Sequence, residues 1–262
     1  MLTIEARNLT LAYGKNVVVR GLTFILKPGE ITGLVGPNGS GKSTIIKALS
    51  RVLRPEAGQV TVNGRSLSSI PRQELARLIG VVPQIPLLPS TFTAFEAVLM
   101  GRNPHLGFFR YESENDMAIA IKAMEAMHTG HLANRRIGEL SGGEIQSVVI
   151  ARVLAQETQA ILLDEPTANL DIGRQIETLD LMRDLCRNGI TVGVALHDLN
   201  LAVQYCHRLI LLSGGKIAAE GTPAQVITEN NIRTVYGAGS AVYCIEGLPA
   251  VMPRPARVME KQ

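Results

Sequence analysis

Two short stretches and one histidine carry residue types suited to phosphate chemistry. "GPNGSGKST" (36–44) fits the pattern G-x-x-x-x-G-K-[ST], follows the apolar "ITGLV" and opens the helix-like "STIIKALSRVL". In that context Gly36, Pro37, Asn38, Gly39, Ser40 and Gly41 make a turn, and backbone N–H groups from Gly39 to Thr44 wrap phosphates at a helix N-terminus, where the dipole favours negative charge. Lys42 is expected to reach β- and γ-phosphates and Ser43 to ligate Mg²⁺. "AILLDEP" (160–166) ends an apolar strand in two adjacent carboxylates. Asp164 is expected to hold the metal through water, and Glu165 to take a proton from an attacking water. Without the phosphate loop the same pair would read as an exposed acidic strand end.

His197 closes another apolar strand, "TVGVALH", and is expected to contact the γ-phosphate and hold the attacking water. His105, His128, His131 and His207 read as ordinary surface or core histidines. Gln84, after "LIGVVPQ", is expected near the metal at the start of a helical region. Tyr13, in "LAYG", either stacks on adenine or packs on the core.

A second glycine turn, "LSGGE" (140–144), lies about a hundred residues further on. Ser141 and Glu144 have the spacing of a capping box at the head of "SGGEIQSVVIARVLAQ", whose Ile145, Val148, Val149 and Val153 are expected to line one face. Gly142 and Gly143 weaken a helix start, and capping does not require them; they leave room for an anion to approach. The chain's own phosphates are taken by the first loop. A second cradle is useful if it serves the γ-phosphate held by another copy.

The elements that must position these residues follow from periodicity. "LTIEARNLTLAYG", "VVVRGLTFILKPG" and "GQVTVNGRSL" alternate as half-buried antiparallel strands do. "EITGLVG", "AILLD" and "TVGVALH" are short apolar runs, each followed by a helical segment, which is the pattern of a parallel sheet covered by helices. The strand ends would bring Gly36, Asp164 and His197 to one edge. From Gln84 to Leu140 the pattern is mainly helical, in "AFEAVLMG" and "ENDMAIAIKAMEAMH". The expected fold is α/β: a P-loop NTPase core with a mostly parallel sheet, an N-terminal antiparallel β subdomain and an inserted helical lobe at about 85–150. Beyond His197 come a helix, "DLNLAVQYCHR", a hairpin, "LILLSGGKIAAEG", and a tail from 241 to 262.

With 262 residues, 46% hydrophobic and 19% charged, the chain is long enough for one large domain with an inserted lobe. A formal charge of +3 without a basic run gives no reason to expect nucleic acid. Cys186, Cys206 and Cys244 have no metal-ligand spacing and read as buried thiols in a reducing compartment. No run reaches the ~18 apolar residues of a membrane span, and "MLTIEARNLTL" lacks the form of a signal peptide.

The ordered set of "GPNGSGKST", Gln84, "LSGGE", "ILLDEP", "ANLD" (168–171) and His197 resembles the ATP-binding cassette (ABC) proteins over nearly the whole chain, 1–240. The resemblance implies ATP and Mg²⁺ as cofactors and a head-to-tail dimer. In it, Ser141 and Gly143 of one copy complete the site built on Lys42 of the other, with Asp171 near the seam. Glu144 stands where that family more often has glutamine, and Ser147 where an arginine often stands; loss of that arginine is expected to remove an ion pair inside the lobe. "VLMGRNPHLGFF" (98–109) and "NNIRTVYGAGSAVY" (230–243) resemble the cassettes of metal-chelate importers for iron-siderophore, haem or cobalamin. That implies integral-membrane permease subunits, an extracytoplasmic substrate-binding protein, and a peripheral place on the cytoplasmic face of the inner membrane. The apolar segment from Ile85 to Phe109 either docks a permease helix or is buried by the lobe itself. Other readings are the ATPase of a different importer, for molybdate or another metal, a soluble ABC ATPase without a transport role, and a nucleotide-binding structural module.

Overall fold

The computed structural model describes residues 1–107, 111–168, 170–237 and 240–253. Phe108 and Phe109, Asn169 of "ANLD", residues 238–239 and the end of the tail lie outside them. The chain opens with β1 (Ile4–Tyr13) and β2 (Asn16–Leu26), an antiparallel pair. β3 (Ile31–Val35) leads through the glycine loop into α1 (Lys42–Leu49). β4 (Ala57–Val62) and β5 (Arg65–Ser66) then return to the first pair, giving a four-stranded antiparallel sheet in the order β2-β1-β4-β5.

α1 is shorter than the helical pattern through Leu53. Arg51 turns left-handed, at φ 63°, and the N–H groups of Val52 and Leu53 fold back onto the Lys47 carbonyl at 2.8 and 2.9 Å. With the Arg51 N–H on the Ala48 carbonyl at 3.1 Å, these bonds pair carbonyls of the last turn and stop the helix.

α2 (Arg72–Leu78) and β6 (Ile79–Val82) precede the lobe, which is built from α3 (Ala94–Leu99), α4 (Glu114–Ala126) and α5 (Gly142–Ala155), with a 3-10 segment at Met100–His105 after α3 and two more, Gly130–Leu132 and Ile137–Glu139, before α5. α5 is not one-faced as its apolar spacing suggested. Ile145 is only half-buried, while Gln146, Ser147 and Ile150 are buried with the valines, because the helix packs against α3 and α4 on one side and β6 on another.

The second half supplies β7 (Ala160–Asp164), α6 (Ile172–Arg187), β8 (Thr191–Ala195), α7 (Leu199–Tyr205), β9 (Arg208–Ser213) and β10 (Lys216–Gly221). They complete a six-stranded sheet in the order β10-β9-β3-β8-β7-β6. All neighbours in it run parallel except β10, which is antiparallel to β9. β3, β7 and β8 are buried along their full length, as strands covered on both faces must be. Two hydrophobic clusters lie on its faces, one reaching into the lobe and one under the antiparallel sheet.

The chain continues into α8 (Pro223–Val226), α9 (Glu229–Tyr236) and a hairpin of β11 (Ser240–Ile245) with β12 (Leu248–Pro253). The sequence pattern predicts a tail without strands there. Cys186 and Cys206 are buried, but Cys244 is exposed, because burial along β11 fades from Ala241 towards the turn.

Candidate functional site: the carboxyl edge of the parallel sheet

The glycine loop begins where β3 ends. Gly36 has φ 149°, and a Cβ there would lie 2.4 Å from the Leu212 carbonyl oxygen and 2.9 Å from Ser40 Oγ. No other residue fits that approach. Gly41, at φ 106°, stands at the N-cap of α1 without a capping side chain, so the first N–H groups of the helix remain free to meet an anion. Lys42 is buried, and its Nζ donates to the carbonyls of Gly36 at 2.8 Å and Pro37 at 3.2 Å. Burial pulls its pKa down, and the charges of Glu165 and Asp164 oppose that pull.

β7 delivers the two carboxylates to the same edge. Ser43 Oγ donates to Asp164 Oδ1 at 2.8 Å. Burial raises the Asp164 pKa, the Ser43 bond counters it, and the neighbouring Glu165 charge adds to the rise. Glu165 lies at φ 52°, left-handed for a residue with a Cβ. Its N–H donates to the Ala195 carbonyl at 3.1 Å. Its carboxylate accepts from Gln84 Nε2 at 2.7 Å and meets His197 Nε2. The Glu165 side chain is 10% exposed and that of His197 45%, so the histidine closes the site on its solvent side.

Asn38 to Thr44, Gln84, Glu165 and His197 thus frame one cleft of about 310 Å³. Val18 of β2 also lines it, and Val19 lies 2.8 Å from where a Gly41 Cβ would stand. Neither valine had a signal beyond strand alternation. A larger cleft of about 680 Å³ beside Arg51 and Arg54 holds none of these groups.

Ser141, Gly142 and Gly143 do not line this cleft. The expected capping box is present: Glu144 Oε2 accepts from the N–H and the hydroxyl of Ser141, each at 2.7 Å. A Cβ on Gly142 would meet nothing within 4 Å. Asp171 caps α6 by accepting from the Arg174 N–H at 2.9 Å. Tyr13 is 48% exposed, with Lys47 Nζ 6.0 Å from its ring centre.

The site holds an all-oxygen pair, the Ser43 hydroxyl and the Asp164 carboxylate, beside a phosphate loop, a donor set that suits Mg²⁺. Among the described residues no cluster of three or more His, Cys, Asp and Glu forms a metal centre of its own.

Residues 19–168 match the family described as ABC transporter. The chain belongs to the ABC transporter family. Like the ATP-binding members of that family, it binds and hydrolyses ATP. The ferric enterobactin transport ATP-binding protein FepC of Escherichia coli (strain K12) is 41% identical over 254 residues, 95% of this chain and 93% of that one. The hemin import ATP-binding protein HmuV of Gloeobacter violaceus is 45% identical over 235 residues, 86% of this chain and 85% of that one. A solved metal-chelate type ABC transporter in an inward-facing conformation superposes with a TM-score of 0.82 at 29% identity, covering 96% of this chain and 97% of that chain. Among the described residues of this ABC protein, no helix is long and apolar enough to cross a membrane.

Proposed function

We propose that this chain is the ATP-hydrolysing subunit that powers import of a metal chelate, an iron-siderophore, haem or cobalamin complex, through integral-membrane permease subunits. It works as a head-to-tail dimer at the cytoplasmic face of the inner membrane, with an extracytoplasmic substrate-binding protein delivering the chelate. The ferric enterobactin and hemin relatives support the cargo class. Ile85 and Leu87, 74% and 88% exposed directly after Gln84, support a permease-docking surface coupled to the site.

The observation that carries the chemistry is Glu165, held between Gln84 Nε2 and His197 Nε2 next to the Ser43–Asp164 pair. Backbone N–H groups of Gly39 to Thr44 and the Lys42 ammonium bind the phosphates of ATP. Ser43 and Asp164, with Gln84, hold Mg²⁺, which when bound neutralises charge on the β- and γ-phosphates. Glu165 takes the proton of the attacking water on its carboxylate, and His197 orients that carboxylate and contacts the γ-phosphate. Tyr13 offers its exposed ring to the adenine. Ser141, Gly142 and Gly143, with Asp171, complete the site of the second copy.

The test compares cells carrying the native chain or Glu165→Gln for uptake of labelled ferric siderophore, haem and cobalamin, alongside turnover of the purified chains. The variant is expected to bind ATP normally, to hydrolyse it about a thousandfold more slowly, and to abolish uptake of one cargo. Native turnover in the variant would remove Glu165 from the mechanism, and native uptake of all three would overturn the cargo class.

A further inference from the structure

Residues 229–237 and 240–253 take no part in the chemistry above, yet they lie against both loops that frame Glu165. On one side α9 ends in Tyr236, whose phenol lies beside the Gly36 backbone at the start of the phosphate loop; burial pushes it up to about 12, and the nearby Gly36 N–H opposes that rise. On the other side lies Asn200, in the first turn of α7 and three residues after His197. Its Nδ2 donates to the Val251 carbonyl at 3.2 Å, and its Oδ1 accepts from the Val251 N–H at 2.8 Å. The side-chain amide therefore binds β12 as a neighbouring strand would, through one donor and one acceptor.

The rest of the hairpin supports that clamp. Val242 and Val251 pack onto the same hydrophobic cluster as Leu199, Ala202 and Val203 of α7. The first turn of α7 is otherwise held by Asp198, whose carboxylate accepts from the N–H groups of Asn200 at 2.7 Å and Leu201 at 3.0 Å. A helix of seven residues has little stability of its own. The His197 ring is too exposed for packing alone to fix it.

We propose that Asn200 is a positioning residue for hydrolysis: through it the β11–β12 hairpin holds the N-terminus of α7 and so sets where His197 meets Glu165. Tyr236, beside Gly36, brings the same segment against the phosphate loop as well. The proposal rests on the reading of Glu165 and His197 as the hydrolytic pair.

Steady-state ATP turnover, affinity for a non-hydrolysable ATP analogue and thermal stability are measured for the full chain and for Asn200→Ala, Asn200→Asp, Val251→Pro, the Asn200→Ala/Val251→Pro double variant and His197→Ala. Asn200→Ala is expected to lower kcat about five- to tenfold, the effect of one or two lost hydrogen bonds, with analogue affinity and melting temperature unchanged. Asn200→Asp keeps an acceptor for the Val251 N–H and is expected to recover part of that loss. Val251→Pro removes the donor from the other side without breaking the hairpin ladder, since the N–H points to Asn200. Its effect is expected not to add to that of Asn200→Ala. Native kcat in Asn200→Ala beside an inactive His197→Ala overturns the positioning role alone, as do additive losses or a parallel fall in affinity and stability. Native kcat in His197→Ala overturns the underlying reading of the site.

Discussion

Glu165 combines two features that a strand end seldom joins: a positive φ and a nearly buried carboxylate. The left-handed backbone costs about 1–3 kcal/mol, and surrounding bonds must hold it. Here they are the Ala195 carbonyl beneath its N–H and the Gln84 amide on its side chain. Removing the amide should loosen the carboxylate without touching the phosphate loop. Gln84→Ala is therefore expected to lower kcat about tenfold, more than it weakens MgATP binding; an equal loss in both, from turnover and binding on one preparation, would show that Gln84 acts through the metal and nucleotide rather than through Glu165. The phosphate loop and the carboxylate pair proposed for the site could be named from the sequence because each sits inside a short segment with its own spacing, whereas Gln84 and His197 had only their places after apolar strands. The bond from Gln84 to Glu165 spans 81 positions, and no local pattern encodes a contact of that range.

The lobe shows the same limit at the scale of elements. Its helices were legible from periodicity, and an ion pair was expected to be missing at Ser147. Ser147 is buried, its hydroxyl donating to the Gly143 carbonyl at 3.1 Å. The lobe has a buried pair elsewhere: Arg102 Nε meets Asp116 Oδ1 at 2.9 Å, and Nη1 reaches Glu157 Oε2 at 2.7 Å and the Ala155 carbonyl at 2.8 Å. Asp116 also caps α4, and bonds from the Ser113 hydroxyl and N–H, then from Arg102, hold its pKa down at about 2. A carboxylate depressed in the folded state stabilises fully above its unfolded pKa of about 4, and that contribution disappears as pH falls through about 2. Asp116→Asn leaves Arg102 without its buried carboxylate, keeping only the half-exposed Glu157, and should cost roughly 2–4 kcal/mol at neutral pH. It should also flatten the loss of stability between pH 4 and 2, and urea unfolding across that range checks both. The hairpin was not legible for a different reason. Its turn is Glu246–Gly247, both at positive φ, 50° and 82°, a geometry whose usual sequences are Asn-Gly and Asp-Gly. Pro249 and Pro253 within β12 argue against a strand until its edge position is known.

At the scale of the molecule, one copy carries two halves that do not meet in a single cleft. The phosphate loop, both carboxylates and His197 lie at the sheet edge, while the second glycine turn at the head of α5 lines no part of that cleft. Gly142 has open space where a side chain would go, so its own packing does not demand glycine there. A head-to-tail pair gives that glycine a purpose, because each ATP site then takes Lys42 from one copy and Ser141 from the other. Complementation tests this directly. Lys42→Ala disables the loop half, and Ser141→Arg blocks the other half with a long cationic side chain; each variant alone forms only defective sites. In an equal mixture, half the dimers are mixed, and each has one site with both defects and one with neither. Turnover should therefore return to roughly a quarter of the native value if the two sites act independently. Strict coupling of the two sites would give less, and its size would measure that coupling. No recovery, in a mixture shown by size exclusion to exchange subunits, would mean that Lys42 and Ser141 serve the same site on the same copy or that both sites must be intact together. A tethered dimer carrying both substitutions in one half separates these: shared sites leave neither one intact, whereas sites confined to one copy leave the other copy's site whole.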